Sequence, residues 1–205
     1  MLDDSSMSID YITQSLAHNH SLITKMQDDE VLIHGLNSAV GKIIHCFENN
    51  GKVMFAGNGG SAADAQHMSA EFVSRFMFNR PGLPSIALTT DTSALTAIGN
   101  DYGFEVIFSR QIEAVSNAGD VLIAYSTSGT SPNILQALDV ARTRDICCIG
   151  LTGIKPESKV MVERCDVTLR VPHDSTPRIQ EGHLLLGHIL CGAVETALFN
   201  KEQSS

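Results

Sequence analysis

The stretch Val53-Met54-Phe55-Ala56-Gly57-Asn58-Gly59-Gly60-Ser61-Ala62-Ala63-Asp64-Ala65-Gln66-His67-Met68-Ser69-Ala70-Glu71 decides the fold. Val53 to Ala56 are apolar and read as a short buried strand. They run into a glycine-rich turn, after which the pattern is helical from about Ala62 to Phe76. Ser61, with Asp64 three residues later, predicts a capping box at the start of that helix. A strand that enters a helix through a glycine turn is the first half of a βαβ unit. Such a turn can offer backbone N–H groups to a phosphate. His67 and Glu71 stand four residues apart, on one helical face, where they can hold one metal ion. A plain helix-face hydrogen bond is the simpler use of the same pair.

Outward from this unit, residues 1–8 read as a frayed, disordered N-terminus and 9–50 as amphipathic helix, with Ile9, Ile12, Leu16, Ile23, Leu32, Leu36 and Ile43 spaced by threes and fours. Asn49-Asn50-Gly51 closes this region as a turn. Further strands are predicted at Ser85–Thr89, Asp120–Tyr125, Ile146–Leu151 and Val167–Val171. Further helices are predicted at Thr92–Ile98, Phe104–Val115, Pro132–Arg144 and Arg178–Phe199. Ser131 reads as the cap and Pro132 as the first helical residue of the third of these. Apolar strands alternating with helices predict an α/β fold: three α-β-α layers around a five-stranded parallel, flavodoxin-like sheet. Residues 9–205 form one domain that includes the N-terminal helical region 9–50, whose remaining faces are free to pack on another subunit. Ligands in such folds bind at the carboxyl ends of the strands.

The chain has 205 residues, 43% hydrophobic and 18% charged, with a net charge of −9 at pH 7. No basic run is present, so binding nucleic acid through bulk charge is not expected. The five cysteines, Cys46, Cys147, Cys148, Cys165 and Cys191, form no CxxC pair and read as small apolar core residues. The N-terminus lacks a basic region followed by an apolar one, and no apolar run reaches about 18 residues. A reducing cytoplasm and no membrane span are expected.

A second polar loop, Ser126-Thr127-Ser128-Gly129-Thr130-Ser131, gathers hydroxyl and backbone donors ahead of a helix, which suits a phosphate monoester. The same residues also make plain caps and turns. Gly57-x-Gly59-x-x-Ala62 meets the loose dinucleotide fingerprint, but Asp91, its acidic partner, lies somewhat far along.

Taken together, GNGGSAADAQH over 57–67, STSGTS over 126–131 and RIQEGH over 178–183 closely resemble the sugar isomerase (SIS) domain family, in the branch that acts on seven-carbon sugar phosphates. The resemblance covers nearly the whole chain. It implies one zinc ion per subunit, held by His67, Glu71, Gln180 and His188. It implies Glu71 and His188 as the acid–base pair. Substrate contacts fall on Asn58, Gly59, Gly60, Ser126, Thr127, Ser128 and Ser131, with Thr90 and Asp91 nearby and with Glu71 and Gln180 reaching the sugar. The implied reaction is the aldose–ketose isomerisation of sedoheptulose 7-phosphate to D-glycero-D-manno-heptose 7-phosphate through an enediol, for nucleotide-activated heptose and lipopolysaccharide biosynthesis. The implied assembly is a cytoplasmic homotetramer with active sites shared between subunits, and without nucleic acid or membrane partners. A non-catalytic relative binds the replication initiator protein and resembles an isomerase whose acid–base residues are replaced; this chain keeps both. A phosphosugar isomerase of other specificity, such as one for amino sugars, is a further alternative, and a nicotinamide oxidoreductase a distant one. The segment Asp174-Ser175-Thr176-Pro177 varies within the family.

Geometry tests the zinc expectation. Gln180 and His188 are eight residues apart, a rise of ~12 Å and a turn of ~80° past two full turns. They cannot sit side by side. Either Gln180 reaches in from the start of its helix, or the two come from different subunits. His183 reads as an outer-layer or interface residue, and His173 as exposed. His18, His20, His34 and His45 read as structural or solvated. Glu181 either orients a ligand or pairs with Arg178. Met68 and Phe72 read as core.

Overall fold

Strands β1 (Val53–Ala56), β2 (Ser85–Ala87), β3 (Val121–Tyr125), β4 (Cys147–Thr152) and β5 (Val167–Arg170) form one parallel sheet in the order β2-β1-β3-β4-β5. The structure is a computed structural model, and it describes residues 4–199, with side chains from residue 8. The side-chain period of two sends alternate residues to opposite faces. Val53 and Phe55 enter one core, and Met54 and Ala56 the other.

On the first face the sheet is covered by α2 (Glu30–Glu48), α3 (Gly60–Val73) and α8 (Thr176–Phe199), with Ile43, Phe72, Tyr125 and Leu190 at the centre. On the second face lie α4 (Thr92–Tyr102), α5 (Ser109–Val115), α6 (Pro132–Thr143) and the single turn α7 (Lys159–Val162), around Phe108, Ile134 and Leu138. The long α1 (Asp4–Gln27) leans on α2 and α8. Lys52 ties the entries of β1 and β3 together: its N–H and its Nζ both donate to Asp120, at 3.0 and 2.6 Å.

The predicted layers, strand count and parallel sense hold. The expected frayed N-terminus 1–8 falls partly on residues 1–3, outside those described; α1 begins at Asp4. The capping box does not form. Gly59, at φ 56°, is the N-cap and makes no side-chain cap bond. The turn folds so tightly that Ser61 is buried against Gly57. Ser131 does occupy the cap position of α6 with Pro132 behind it, yet its side chain caps nothing. The single helix expected at 104–115 is a 3-10 turn, Phe104–Val106, followed by α5. By length and composition α8 is apolar enough to cross a membrane, with a mean hydropathy of 1.4, which a search for unbroken apolar runs does not register. It carries the buried polar residues His183 and Glu195 and packs on α2 and α3 as a core helix.

Candidate functional site

The order β2-β1-β3-β4-β5 reverses direction between β1 and β3, so the loops that leave their carboxyl ends lie side by side at the switch point. Two amides stitch these loops together. Asn58 Nδ2 donates to Asn133 Oδ1 at 2.9 Å, and Asn133 Nδ2 returns the bond to Asn58 Oδ1 at 2.8 Å. The Asn58 side chain, expected at the substrate, is thus engaged with Asn133. The buried Asn133 was not singled out from sequence, since no motif marks it. What the turn offers a ligand is backbone: among the described residues, the N–H groups of Asn58, Gly59 and Gly60 donate to no protein acceptor.

The serine loop is folded on itself. Ser126 Oγ lies 3.0 Å from Ser131 Oγ and accepts from the Gly129 N–H at 3.1 Å, while Ser128 Oγ accepts from the N–H and Oγ1 of Thr130. Gly129 has φ 70°, and a Cβ there would stand 2.6 Å from Ser158 Cα, so this turn needs glycine. The N–H groups of Thr127, Ser128 and Ser131 meet no protein acceptor among the described residues, leaving a small nest of donors ahead of α6. Thr90 and Asp91 turn to their own backbone: Thr90 Oγ1 donates to Ala87 O, and Asp91 Oδ1 caps α4 through the Ala94 N–H. A cavity of about 470 Å³ borders Gly57, Asn58 and Gly59 and is otherwise walled by side chains such as Leu95, Phe104 and Phe108. None of the metal-ligand candidates lines it.

Helices α3 and α8 lie side by side and run in the same direction. Gln180 covers Gly60, where a Cβ would meet its Nε2 at 2.7 Å; further along, Gly187 faces Met68 and Gly192 faces Phe76. This pairing brings His188 of α8 to His67 and Glu71 of α3. His67 Nε2 is 3.1 Å from Glu71 Oε1 and 3.5 Å from His188 Nε2. One ligand atom from each of the three lies within 4.8 Å of the others. Donors 2.0–2.1 Å from a tetrahedral zinc stand ~3.3 Å from one another, so these spacings fit the ion. His67 is about half exposed, which leaves the cluster open on one side.

Gln180 is not brought to this cluster. It sits at the level of Gly60, seven residues before His67, a rise of ~10 Å along the helix. Within one chain the expected quartet is therefore a trio, with Gln180 beside the glycine turn.

Between these two levels lies a buried polar layer. His183, expected as an outer-layer or interface residue, is fully buried one turn after Gln180. Among the described residues neither of its ring nitrogens has a hydrogen-bond partner; the Thr152 backbone lies close without the geometry of a full bond. Burial pushes its pKa down to about 4. Tyr125 packs against it with ring centroids 5.7 Å apart, its hydroxyl also unpartnered among the described residues. Burial raises the Asp64 pKa, against the opposing pull of His67. Glu181 takes the simple option and accepts from Arg178 at 2.7 Å. His173, expected to be exposed, is half-buried, its Nδ1 accepting from the Ser175 N–H. All five cysteines are free, and burial raises every thiol; Cys46 and Cys147 reach about 11, and Cys165 and Cys191 about 12. They are inert core residues, as expected.

The family model of the SIS domain matches residues 16–153. A phosphoheptose isomerase of Burkholderia pseudomallei is 55% identical over 192 residues, covering 94% of this chain and 96% of its own length. The structure of a phosphoheptose isomerase from Neisseria gonorrhoeae superposes with a TM-score of 0.83 at 42% identity, covering 91% of this chain and 98% of that one. One from Francisella tularensis gives a TM-score of 0.86 at 36% identity, covering 92% and 98%.

Proposed function

The chain belongs to the SIS-domain family and, within it, to the phosphoheptose isomerases, and from that premise we propose that this isomerase interconverts sedoheptulose 7-phosphate and D-glycero-D-manno-heptose 7-phosphate at the His67–Glu71–His188 cluster. The convergence of those three side chains from two helices is the observation that carries the reading. Two imidazoles and one carboxylate with an open side form a donor set used by catalytic zinc, and we take zinc as the ion. A divalent cation held there would supply Lewis-acid polarisation of the sugar carbonyl and stabilise the charge that develops on oxygen.

The chain's own groups move the protons. Glu71 removes the C1 proton of the ketose, and the C–H electron pair becomes the C1=C2 bond of the enediol as O2 gains a proton from His188. Return is the mirror step: O1–H gives its proton to His188, the C1=O1 bond forms as the C1=C2 pair takes the proton held by Glu71 onto C2, and both side chains are restored. Positioned acid–base pairs of this kind contribute about 10²–10⁴-fold each. The donor nest of the serine loop and the N–H groups of the glycine turn hold the distal phosphate without Lys or Arg. Phosphate binding there orients the reacting end.

Gln180 completes the centre from a neighbouring subunit. Two features support this: its own helix places it more than two turns away from His188, and Val73, Met77 and Ile189, close in sequence to the cluster residues, are exposed apolar side chains. On α1, Ile9, Tyr11, Ile12 and Leu16 are also exposed. Apolar surface of this kind is covered by other copies of the chain, and we propose a homotetramer in the cytoplasm, serving envelope heptose synthesis. The initiator-binding reading has no support among the relatives described, and Glu71 and His188 stand together as an acid–base pair requires. Incubation with sedoheptulose 7-phosphate tests the proposal: an aldose 7-phosphate is expected, and its absence with fully metal-loaded protein would overturn the assignment.

A further inference from the structure

The chain leaving α3 doubles back through residues 74–80, and Arg80 returns to the end of the helix it came from. Its guanidinium donates to three carbonyls there, Glu71 O at 2.7 Å, Phe72 O at 2.6 Å and Ser74 O at 3.2 Å, and to the adjacent Pro81 O at 3.0 Å. Its Nε donates to Glu195 Oε1 of α8 at 3.0 Å, and both side chains are almost wholly buried. Glu195 also accepts the N–H groups of Phe76 and Met77, at 2.9 and 2.7 Å. Burial alone would raise the Glu195 pKa, but these N–H donors and Arg80 hold it below its ordinary value. Almost every donor and acceptor of the pair is used, which is what a buried ion pair needs to be tolerated.

The clamp touches the metal cluster at two points. Arg80 holds the carbonyl of Glu71 itself. Glu195 holds the backbone of Phe76, whose ring lies against the His188 imidazole, with centroids 5.6 Å apart and planes inclined at 33°. Phe76 can settle there because residue 192 is glycine; a Cβ at that position would stand 3.1 Å from its ring. Glu195 lies seven residues after His188, on the same face of α8, so the clamp and the ligand share one register.

We propose that Arg80, Glu195 and Phe76 are positioning residues for the metal centre. The ion pair locks the end of α3 to α8, and Phe76, held by it, fixes the plane of the His188 ring so that its Nε2 faces His67 and Glu71. The assignment rests on the metal-centre reading above. Groups that orient metal-bound histidines commonly change metal affinity by about 10–100-fold when removed.

The test uses the purified full-length protein, stripped of metal and titrated with zinc against a chromophoric chelator. Phe76→Leu, Phe76→Tyr and Glu195→Gln are compared with the unsubstituted chain, alongside steady-state kinetics and thermal melting. Phe76→Leu is expected to weaken zinc binding at least tenfold and to lower kcat, with KM for the sugar phosphate within about twofold, because the phosphate loops are untouched. Phe76→Tyr, which keeps the ring, is expected to stay within threefold on every measure. Glu195→Gln is expected to follow Phe76→Leu and also to melt earlier; should it fail to fold, Phe76→Leu alone decides. Zinc affinity and kcat unchanged in Phe76→Leu would overturn the proposal and leave the metal centre standing. A stripped unsubstituted protein that binds no zinc would overturn the centre and the proposal with it.

Discussion

Single atoms decide the chemistry. The Nε2 atoms of His67 and His188 lie 3.5 Å apart with a carboxylate oxygen 3.1 Å from the first, a gathering of lone pairs that only a cation or a shared proton stabilises. Glu71→Gln and His188→Gln are each expected to lower kcat at least a thousandfold, with melting temperatures little changed; near-normal turnover in either would contradict the assigned roles. His183 sets a different prediction. Its folded pKa, about 4, lies below the ordinary value of 6.5, so the native state binds fewer protons than the unfolded chain. Its contribution is therefore complete above pH 6.5 and is lost as the pH falls from 6.5 towards 4, by on the order of 3 kcal/mol. His183→Gln is expected to flatten the dependence of melting temperature on pH across that window; an unaltered slope would show that His183 is not the group responsible. Sequence spacing could mark His67 with Glu71, because four residues make one helical turn. It could not mark Arg80 or Glu195, which are 115 residues apart and meet only through packing.

Elements carry these residues to one another, and most elements were legible. β1 was bounded correctly because four apolar residues end abruptly at glycine. The starts of α4 and α6, at Thr92 and Pro132, were read correctly, and that of α3 was not. Ser61 and Asp64 have the spacing of a capping box, but the turn before them is folded so tightly that Gly59 becomes the cap, a tertiary constraint no local pattern reports. Whether Gln180 could join His188 was rightly in doubt from helical geometry alone; the parallel packing of α3 on α8 then places it over Gly60. The Asn58–Asn133 amide pair was invisible because its halves lie on different loops. Asn133→Leu is expected to leave the Asn58 amide unpaired, at a cost of about 1–3 kcal/mol, and to raise KM more than it lowers kcat, since the two loops bind rather than react. An unchanged KM would argue that the amide pair does not hold the loops in register.

At the scale of the whole molecule, the sheet order places both donor loops at one switch point, while α3 and α8 carry the His67–Glu71–His188 cluster along the sheet's first face. The chain by itself brings three side chains that could hold an ion together, with an exposed opening. The proposed completion by a neighbour has a direct consequence. Co-refolding inactive Glu71→Gln protein with inactive Gln180→Ala protein is expected to restore activity, because mixed assemblies then contain some sites with a full set of side chains. No recovery in demonstrably mixed oligomers would mean that Gln180 acts within its own chain.

The most direct measurement is the rate of aldose 7-phosphate formation from sedoheptulose 7-phosphate by protein stripped with a chelator and then returned to zinc in steps. Turnover is expected to vanish on stripping and to climb linearly with added ion, levelling at one zinc per chain, with His67→Ala unable to recover. Full turnover by rigorously metal-free protein would contradict the centre on which the mechanism is built.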